Sequence, residues 1–119
     1  MNPLDPDVVQ AELDAMAGDD VYLHLETTTG SYTALGPDKL PPCIAFVRNA
    51  LVRYERGAVK GPGPYRVGLK IDHGWVYGDG LTHAEIDEDG RLLMAGYDEH
   101  GRVRLALQIG RTRFREGLE

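Results

Sequence analysis

The sequence predicts a mainly β protein: a curved antiparallel sheet or barrel of about eight strands with one N-terminal helix. Beyond residue 20, apolar and polar residues alternate in short runs, which is the period of half-buried strands. Fifteen glycines are spread between these runs, as expected for many tight turns. A helical period occurs only near the N-terminus. A closed or strongly curved sheet would also protect its edge strands.

The helix is predicted over residues 6–17. Val9, Leu13 and Met16 fall at positions i, i+4 and i+7, so their side chains form one apolar stripe on a helix. Gly18 follows the stripe and is a typical residue at which a helix ends.

The β core is predicted over residues 21–109. After its first strand, residues 27–30 are typical of a turn, residues 31–34 of a return strand, and the proline-rich residues 36–42 of a loop. The run 44–54 is apolar at both odd and even positions. This pattern predicts a long strand buried on both faces.

The C-terminal third contains a repeat. The acidic, glycine-containing segment 87–92 recurs eleven residues later as 98–103, and each copy leads into an apolar strand. The pair predicts a β-meander, which follows two further alternating strands at 65–71 and 75–77. Residues 110–119 are highly charged and are predicted to form a loose tail.

Length and charge exclude several classes of protein. The 119 residues fit one domain, 1–119, and the net charge of −6 disfavours a general nucleic-acid binder. No apolar stretch is long enough to span a membrane, and the N-terminus lacks the features of a signal peptide. Because the lone Cys43 cannot form an intramolecular disulfide, we expect a cytoplasmic protein.

Positive charge is concentrated in one part of this acidic chain. Residues 43–71 carry six basic side chains and a single acid, Glu55, whereas residues 72–90 carry six acids and no lysine or arginine. If the basic strands share a face, they can bind a phosphate or a carboxylate. Alternatively, the two segments pair across the sheet as ordinary cross-strand charges.

Two polar residues interrupt the apolar run 44–54. Arg48 and Asn49 point to opposite faces of a strand, so at least one of them should be partly buried and hydrogen-bonded. Two interpretations remain open, a structural role in tying a loop's backbone and a role in ligand binding.

The motif His-x-Glu occurs twice, at His24 and Glu26 and again at His83 and Glu85. Residues two apart on a strand point to one face, so each pair can supply two ligands to a metal. A site would need the two strands to be close and a third ligand, such as His73 or Asp72. The alternative is that these are polar positions on solvated faces.

Several stretches together resemble the YojF-like family of small uncharacterised bacterial proteins, and the likeness extends from about Asp5 to Ile109. The stretches are Val21–Gly30, Arg48–Ala50, Gly61–Lys70, Gly74–Tyr77 and Gly90–Gly96. The resemblance implies an all-β core. It also implies a genetic setting beside a zinc-dependent N-deacetylase that acts in bacillithiol synthesis or in the breakdown of bacillithiol conjugates. The family has no established catalytic residues.

The first hypothesis is therefore a non-enzymatic accessory or ligand-binding domain that serves bacillithiol metabolism, with no cofactor, metal or catalytic residue. Its ligand would be a small anionic metabolite. The candidate binding residues are His24, Glu26, Arg48, Asn49, Arg66, Lys70 and Trp75.

Two alternatives belong to other functional classes. One is a metal-assisted enzyme that uses His24 and Glu26 with His73 or His83. The other is a structural partner of the neighbouring deacetylase, bound through the sheet surface or an exposed edge. The sequence leaves oligomerisation open.

Overall fold

The computed structural model describes residues 1–28 and 43–115. Within these ranges the chain forms one helix, α1 (Pro6–Met16), and nine strands. The strands are β1 (Asn2–Pro3), β2 (Val21–Thr28), β3 (Cys43–Val52), β4 (Arg56–Lys60), β5 (Tyr65–Ile71), β6 (Gly74–Leu81), β7 (His83–Ile86), β8 (Leu92–Tyr97) and β9 (Val103–Gly110). The predicted return strand at 31–34 and the predicted loop at 36–42 lie outside the described residues.

The strands form two antiparallel sheets. The larger sheet has six strands in the order β1-β7-β8-β9-β2-β3, and the smaller has three in the order β4-β5-β6. The predicted meander is confirmed as β7-β8-β9. The mainly β prediction with one helix is also confirmed, but the strands do not close into a barrel. No helix in the described ranges is long and apolar enough to cross a membrane.

The core lies between the inner faces of the two sheets and α1. Val9, Leu13 and Met16 are fully buried, as the helical stripe predicts. The sheets approach closely where β6 packs against β9. A Cβ built on Gly78 would lie only 2.9 Å from a methyl carbon of Leu107. A side chain at this position would therefore require the Leu107 side chain to shift.

The expectation that residues 44–54 are buried on both faces is wrong. β3 is the last strand in the order of the six-stranded sheet, and Phe46, Val47 and Leu51 are 40%, 39% and 59% exposed. An apolar run at a sheet edge has the same sequence pattern as one in the sheet centre, so the pattern alone could not separate them. The turn predicted at 27–30 also begins too early, since β2 continues to Thr28.

The acidic turns of the repeat are held by the same contacts. In the first turn, the Asp87 carboxylate accepts hydrogen bonds from the backbone N–H groups of Asp89 and Arg91, both at 2.9 Å. Gly90 has φ +76°, a left-handed conformation that favours glycine. Asp98 repeats this arrangement eleven residues later. The sequence repeat is therefore a repeat of turn geometry.

The chain does not become a loose tail at residue 110. Gly110 is the last residue of β9, and Phe114 is only 6% exposed. The Arg111 side chain donates hydrogen bonds to Asp19 and to the backbone carbonyl of Ala15. The contacts of Arg111 and the burial of Phe114 hold this segment against the domain, which the charge composition alone did not reveal. Residues 116–119 of the predicted tail lie outside the described residues.

We expect Tyr54→Phe to lower the free energy of unfolding by about 1–2 kcal/mol, because a buried carbonyl would lose its hydrogen bond. The Tyr54 hydroxyl donates to the backbone carbonyl of Leu13 at 2.6 Å, in the last turn of α1, where helical carbonyls lack partners within the helix. Urea denaturation measures the change. The exposed Tyr77→Phe is the control and should shift stability by less than about 0.5 kcal/mol. Equal effects of both variants would contradict this assignment.

Candidate functional site

The outer face of the three-stranded sheet carries a concentrated set of basic and aromatic side chains. Alternate residues of each strand point outward and form three cross-strand rows. We call this surface the basic–aromatic face. Its rows are Arg56, Lys70 and Trp75; Ala58, Gly68 and Tyr77; and Lys60, Arg66 and Asp79.

The two aromatic rings lie over the middle of this face. The Trp75 and Tyr77 rings are parallel to within 7°, with centroids 5.6 Å apart, and they are 39% and 52% exposed. Beneath them is Gly68, where a Cβ would lie only 2.8 Å from the Tyr77 ring. An aromatic side chain that covers a glycine on the neighbouring strand is a known way to stabilise a sheet. The rings therefore need a glycine at this position.

Two of the four basic residues on this face are already paired. Arg66 donates to Asp79 at 2.7 Å, and this hydrogen bond holds the pKa of the Asp79 carboxyl below its usual range. Lys70 binds Glu55 and likewise lowers the pKa of the Glu55 carboxyl. A ligand that used either cation would therefore compete with a carboxylate of the protein.

The two basic residues of β4 are not paired in this way with any carboxylate that the structure describes. Among the carboxylates of residues 1–28 and 43–115, none forms a salt bridge with Arg56 or Lys60. The Arg56 guanidinium lies 5.5 Å from the centre of the Trp75 ring, and that of Arg66 lies 5.6 Å from the Tyr77 ring. Cation–π contacts at exposed sites contribute only about 0.5–1 kcal/mol, so a ligand can displace them.

A cavity of about 470 Å³ lies on this face, within the size range of small-molecule sites. Ala58 and Gly68 provide its floor, where the side chains are smallest. The remaining lining residues are Arg56, Lys60, Arg66, Trp75 and Tyr77.

The predicted binding residues separate into two groups. Arg66, Lys70 and Trp75 lie on the basic–aromatic face, whereas the other four lie on the six-stranded sheet. Sequence reasoning counted Arg56 and Lys60 as charges but did not place them in the site, and it missed Tyr77. The alternation of side chains along β6 could have placed Tyr77 on the same face as Trp75. The register that aligns β4 and β5 with β6 could not be deduced from the sequence.

His24 belongs to a buried cluster on the larger sheet. It is 5% exposed and packs against the rings of Phe46 and Phe114, with centroids 5.3 and 6.2 Å away. Its Nε2 lies 3.6 Å from the Glu26 carboxylate. Burial lowers the pKa of His24, the positive charge of Arg48 lowers it further, and the Val47 backbone opposes the shift. The imidazole is thus favoured in its neutral form.

Asn49 ties down the C-terminal segment. Its side-chain amide donates to the backbone carbonyl of Phe114, and its side-chain oxygen accepts from the Phe114 N–H, both at 2.8 Å. The residue has φ +55°, in the left-handed region that asparagine tolerates better than most residues. This geometry fits the structural interpretation of Asn49, in which the side chain holds a backbone segment.

The two His-x-Glu pairs do not converge. His24 and His83 lie on β2 and β7, which β8 and β9 separate within the sheet, and His73 lies in the β5–β6 turn of the other sheet. His83 instead contacts Thr82 and packs against Tyr97. The described ranges contain no group of three or more His, Cys, Asp or Glu residues able to hold a metal. The prediction of a metal site from these residues is not supported.

The free energy of unfolding should decrease as the pH falls below about 6.5, in part because of His24. Since burial lowers the pKa of folded His24 below its usual value of 6.5, the unfolded chain binds more protons in this window. Urea denaturation between about pH 7 and pH 5 avoids most carboxylate titration. His24→Gln should reduce the slope of the unfolding free energy against pH, whereas His73→Gln should retain this slope because His24 is still present. An unchanged slope in His24→Gln would contradict this prediction.

Comparison with known proteins identifies relatives along nearly the whole chain. A family model described as a protein of unknown function, DUF1806, matches residues 3–114. The uncharacterized protein YojF of Bacillus subtilis (strain 168) is 50% identical over 106 residues, which are 89% of this chain and 91% of that protein. A crystal structure of the Bacillus subtilis YojF protein is similar with a TM-score of 0.83 and 43% identity, and the match covers 96% of each chain. The resemblance to the YojF-like family is confirmed.

Proposed function

This chain belongs to the DUF1806 family of proteins of unknown function, and we propose that it is a non-enzymatic domain that binds a small anionic metabolite on the basic–aromatic face. The observation that carries the proposal is the pair of cations, Arg56 and Lys60, which form no salt bridge with a described carboxylate and lie beside a cavity with two exposed rings. Cavity, charge and exposed aromatic surface occur together at this one place.

The expected affinity follows from these groups. A hydrogen bond to a charged partner contributes about 1.5–3 kcal/mol, so two such contacts provide roughly 3–6 kcal/mol. Contact with the rings of Trp75 and Tyr77 adds apolar burial. Binding in the micromolar range requires about 8 kcal/mol, which these terms approach together. Local positive charge would also attract an anion to a protein whose overall charge is −6.

The family resemblance suggests the first metabolite to test. It links the chain to bacillithiol metabolism, and the malyl group of bacillithiol carries carboxylates that suit Arg56 and Lys60. In this role the protein would bind or present the thiol in the cytoplasm, as an accessory to the enzymes of that pathway.

A second candidate function is that of a partner for the neighbouring deacetylase. The observation that favours it is the edge strand β3, where the apolar side chains of Phe46, Val47 and Leu51 are exposed. An exposed edge can accept a strand from another protein.

The double variant Arg56→Ala/Lys60→Ala tests the proposed site. In the native protein, bacillithiol or malate should raise the melting temperature by mass action, and the double variant should lose most of this rise. The matched control is Arg53→Ala/Arg104→Ala, which also removes two exposed positive charges but from other surfaces. The control should keep the full rise.

The two double variants distinguish binding at a specific site from nonspecific attraction of anions by positive charge. Loss of the rise in both double variants would indicate nonspecific attraction. A native protein that responds to no anion at low ionic strength would overturn the proposed function, because screening is weakest there.

A further inference from the structure

The basic–aromatic face presents planar groups one beside another. The guanidinium of Arg56 approaches the Trp75 ring, the Trp75 ring is parallel to that of Tyr77, and the Tyr77 ring is approached by the Arg66 guanidinium. Aromatic rings and guanidinium planes are the two kinds of side-chain surface on which nucleobases stack. An aliphatic carboxylate has no aromatic ring that could stack on these surfaces.

We propose that the ligand of this face is a free nucleotide, with its base stacked on the Trp75 and Tyr77 rings and its phosphate bound by Arg56 and Lys60. The inference rests on the proposed function, that this face binds an anion, and it names the class of anion. It gives a role to the aromatic half of the site, which a simple dicarboxylate would leave unused.

The placement of the groups fits such a ligand. The rings come from β6 and the two cations from β4, and the backbones of these strands are two strand spacings, or about 9.6 Å, apart. The long Arg56 side chain spans this gap and brings its guanidinium to 5.5 Å from the centre of the Trp75 ring, so a base stacked on the rings would have its phosphate within reach of Arg56. The cavity of about 470 Å³ has room for one nucleotide.

Gly68 acts as a specificity-determining residue in this arrangement. Because a Cβ here would lie 2.8 Å from the Tyr77 ring and 3.3 Å from the Trp75 ring, a larger residue would displace both rings. The stacking surface thus depends on a position with no side chain.

Charge favours a free nucleotide over a nucleic-acid strand. The face offers two cations that form no salt bridge within residues 1–28 and 43–115, whereas the whole chain has a net charge of −6. A polyanion would extend past these two cations onto the rest of a protein whose overall charge is negative, while a mononucleotide would not. We therefore assign the site to a mononucleotide.

The native protein reports on this site directly, because Trp75 is its only tryptophan. AMP should quench the tryptophan fluorescence, and calorimetry should give about 10-fold tighter binding of AMP than of ribose 5-phosphate, which has the phosphate but no base. Trp75→Ala should weaken AMP binding about 10-fold without changing the binding of ribose 5-phosphate, and Trp75→Phe should restore most of it. Circular dichroism checks that each variant is folded.

Each remaining outcome has a distinct meaning. Equal affinity for AMP and ribose 5-phosphate, or binding of malate and bacillithiol but not AMP, would overturn the nucleotide inference and leave the proposed anion site standing. No binding of any anion would overturn both. Tighter binding of a short oligoadenylate than of AMP would overturn the assignment to a free nucleotide. Unaltered AMP affinity in Trp75→Ala would place the base elsewhere and also overturn the inference.

Discussion

The burial of the inner face of β5 in the core determines the geometry of the candidate site. Val67 and Leu69 are fully buried in the core, so the alternation of a strand forces their neighbours Arg66, Gly68 and Lys70 outward. Antiparallel pairing on both sides of β5 then aligns β4 and β6 with these three positions. A shift of one residue in either strand would bury the charges and expose the core, which makes the register costly to change. The site is therefore built on a rigid sheet rather than on loops.

The same topology explains why positive charge remains on β4. The acids that follow β5 in the chain are used elsewhere: Asp79 pairs with the adjacent strand, Glu85 approaches the N-terminal amine at 3.9 Å, and Asp87 and Asp89 bind Arg91. Most of these carboxylates belong to the larger sheet or its turns, so they cannot reach the outer face of the smaller one. Cross-strand pairing neutralises part of the positive charge of residues 43–71. The division into two sheets prevents the remaining acids from neutralising the cations of β4.

Features that depend on neighbours along the chain were predictable, and features that depend on distant pairing were not. The apolar stripe that includes Val9 and Leu13 was enough to predict the helix, because helical periodicity is local. The exposure of Phe46 was missed because edge and central strands share one apolar pattern. The joint position of Arg56 and Trp75 was missed because it depends on register across three strands, which turns and bulges determine. The sequence therefore predicted the residue types of the site but not their assembly.

Protection of an edge strand against pairing with other chains is another reason for charged residues on β4, but it explains only part of the basic–aromatic face. β4 ends the smaller sheet, and lysine or arginine on an edge strand discourages pairing with other chains. That role is satisfied by any charged residue and needs neither a cavity nor exposed rings on β6. Yet Trp75 and Tyr77 remain 39% and 52% exposed on β6, the opposite edge strand of this sheet, above a glycine that leaves room for them. Exposed aromatic surface of this kind costs solvation free energy unless something covers it. The charges alone fit a protected edge, whereas the charges, rings and glycine together fit a binding site.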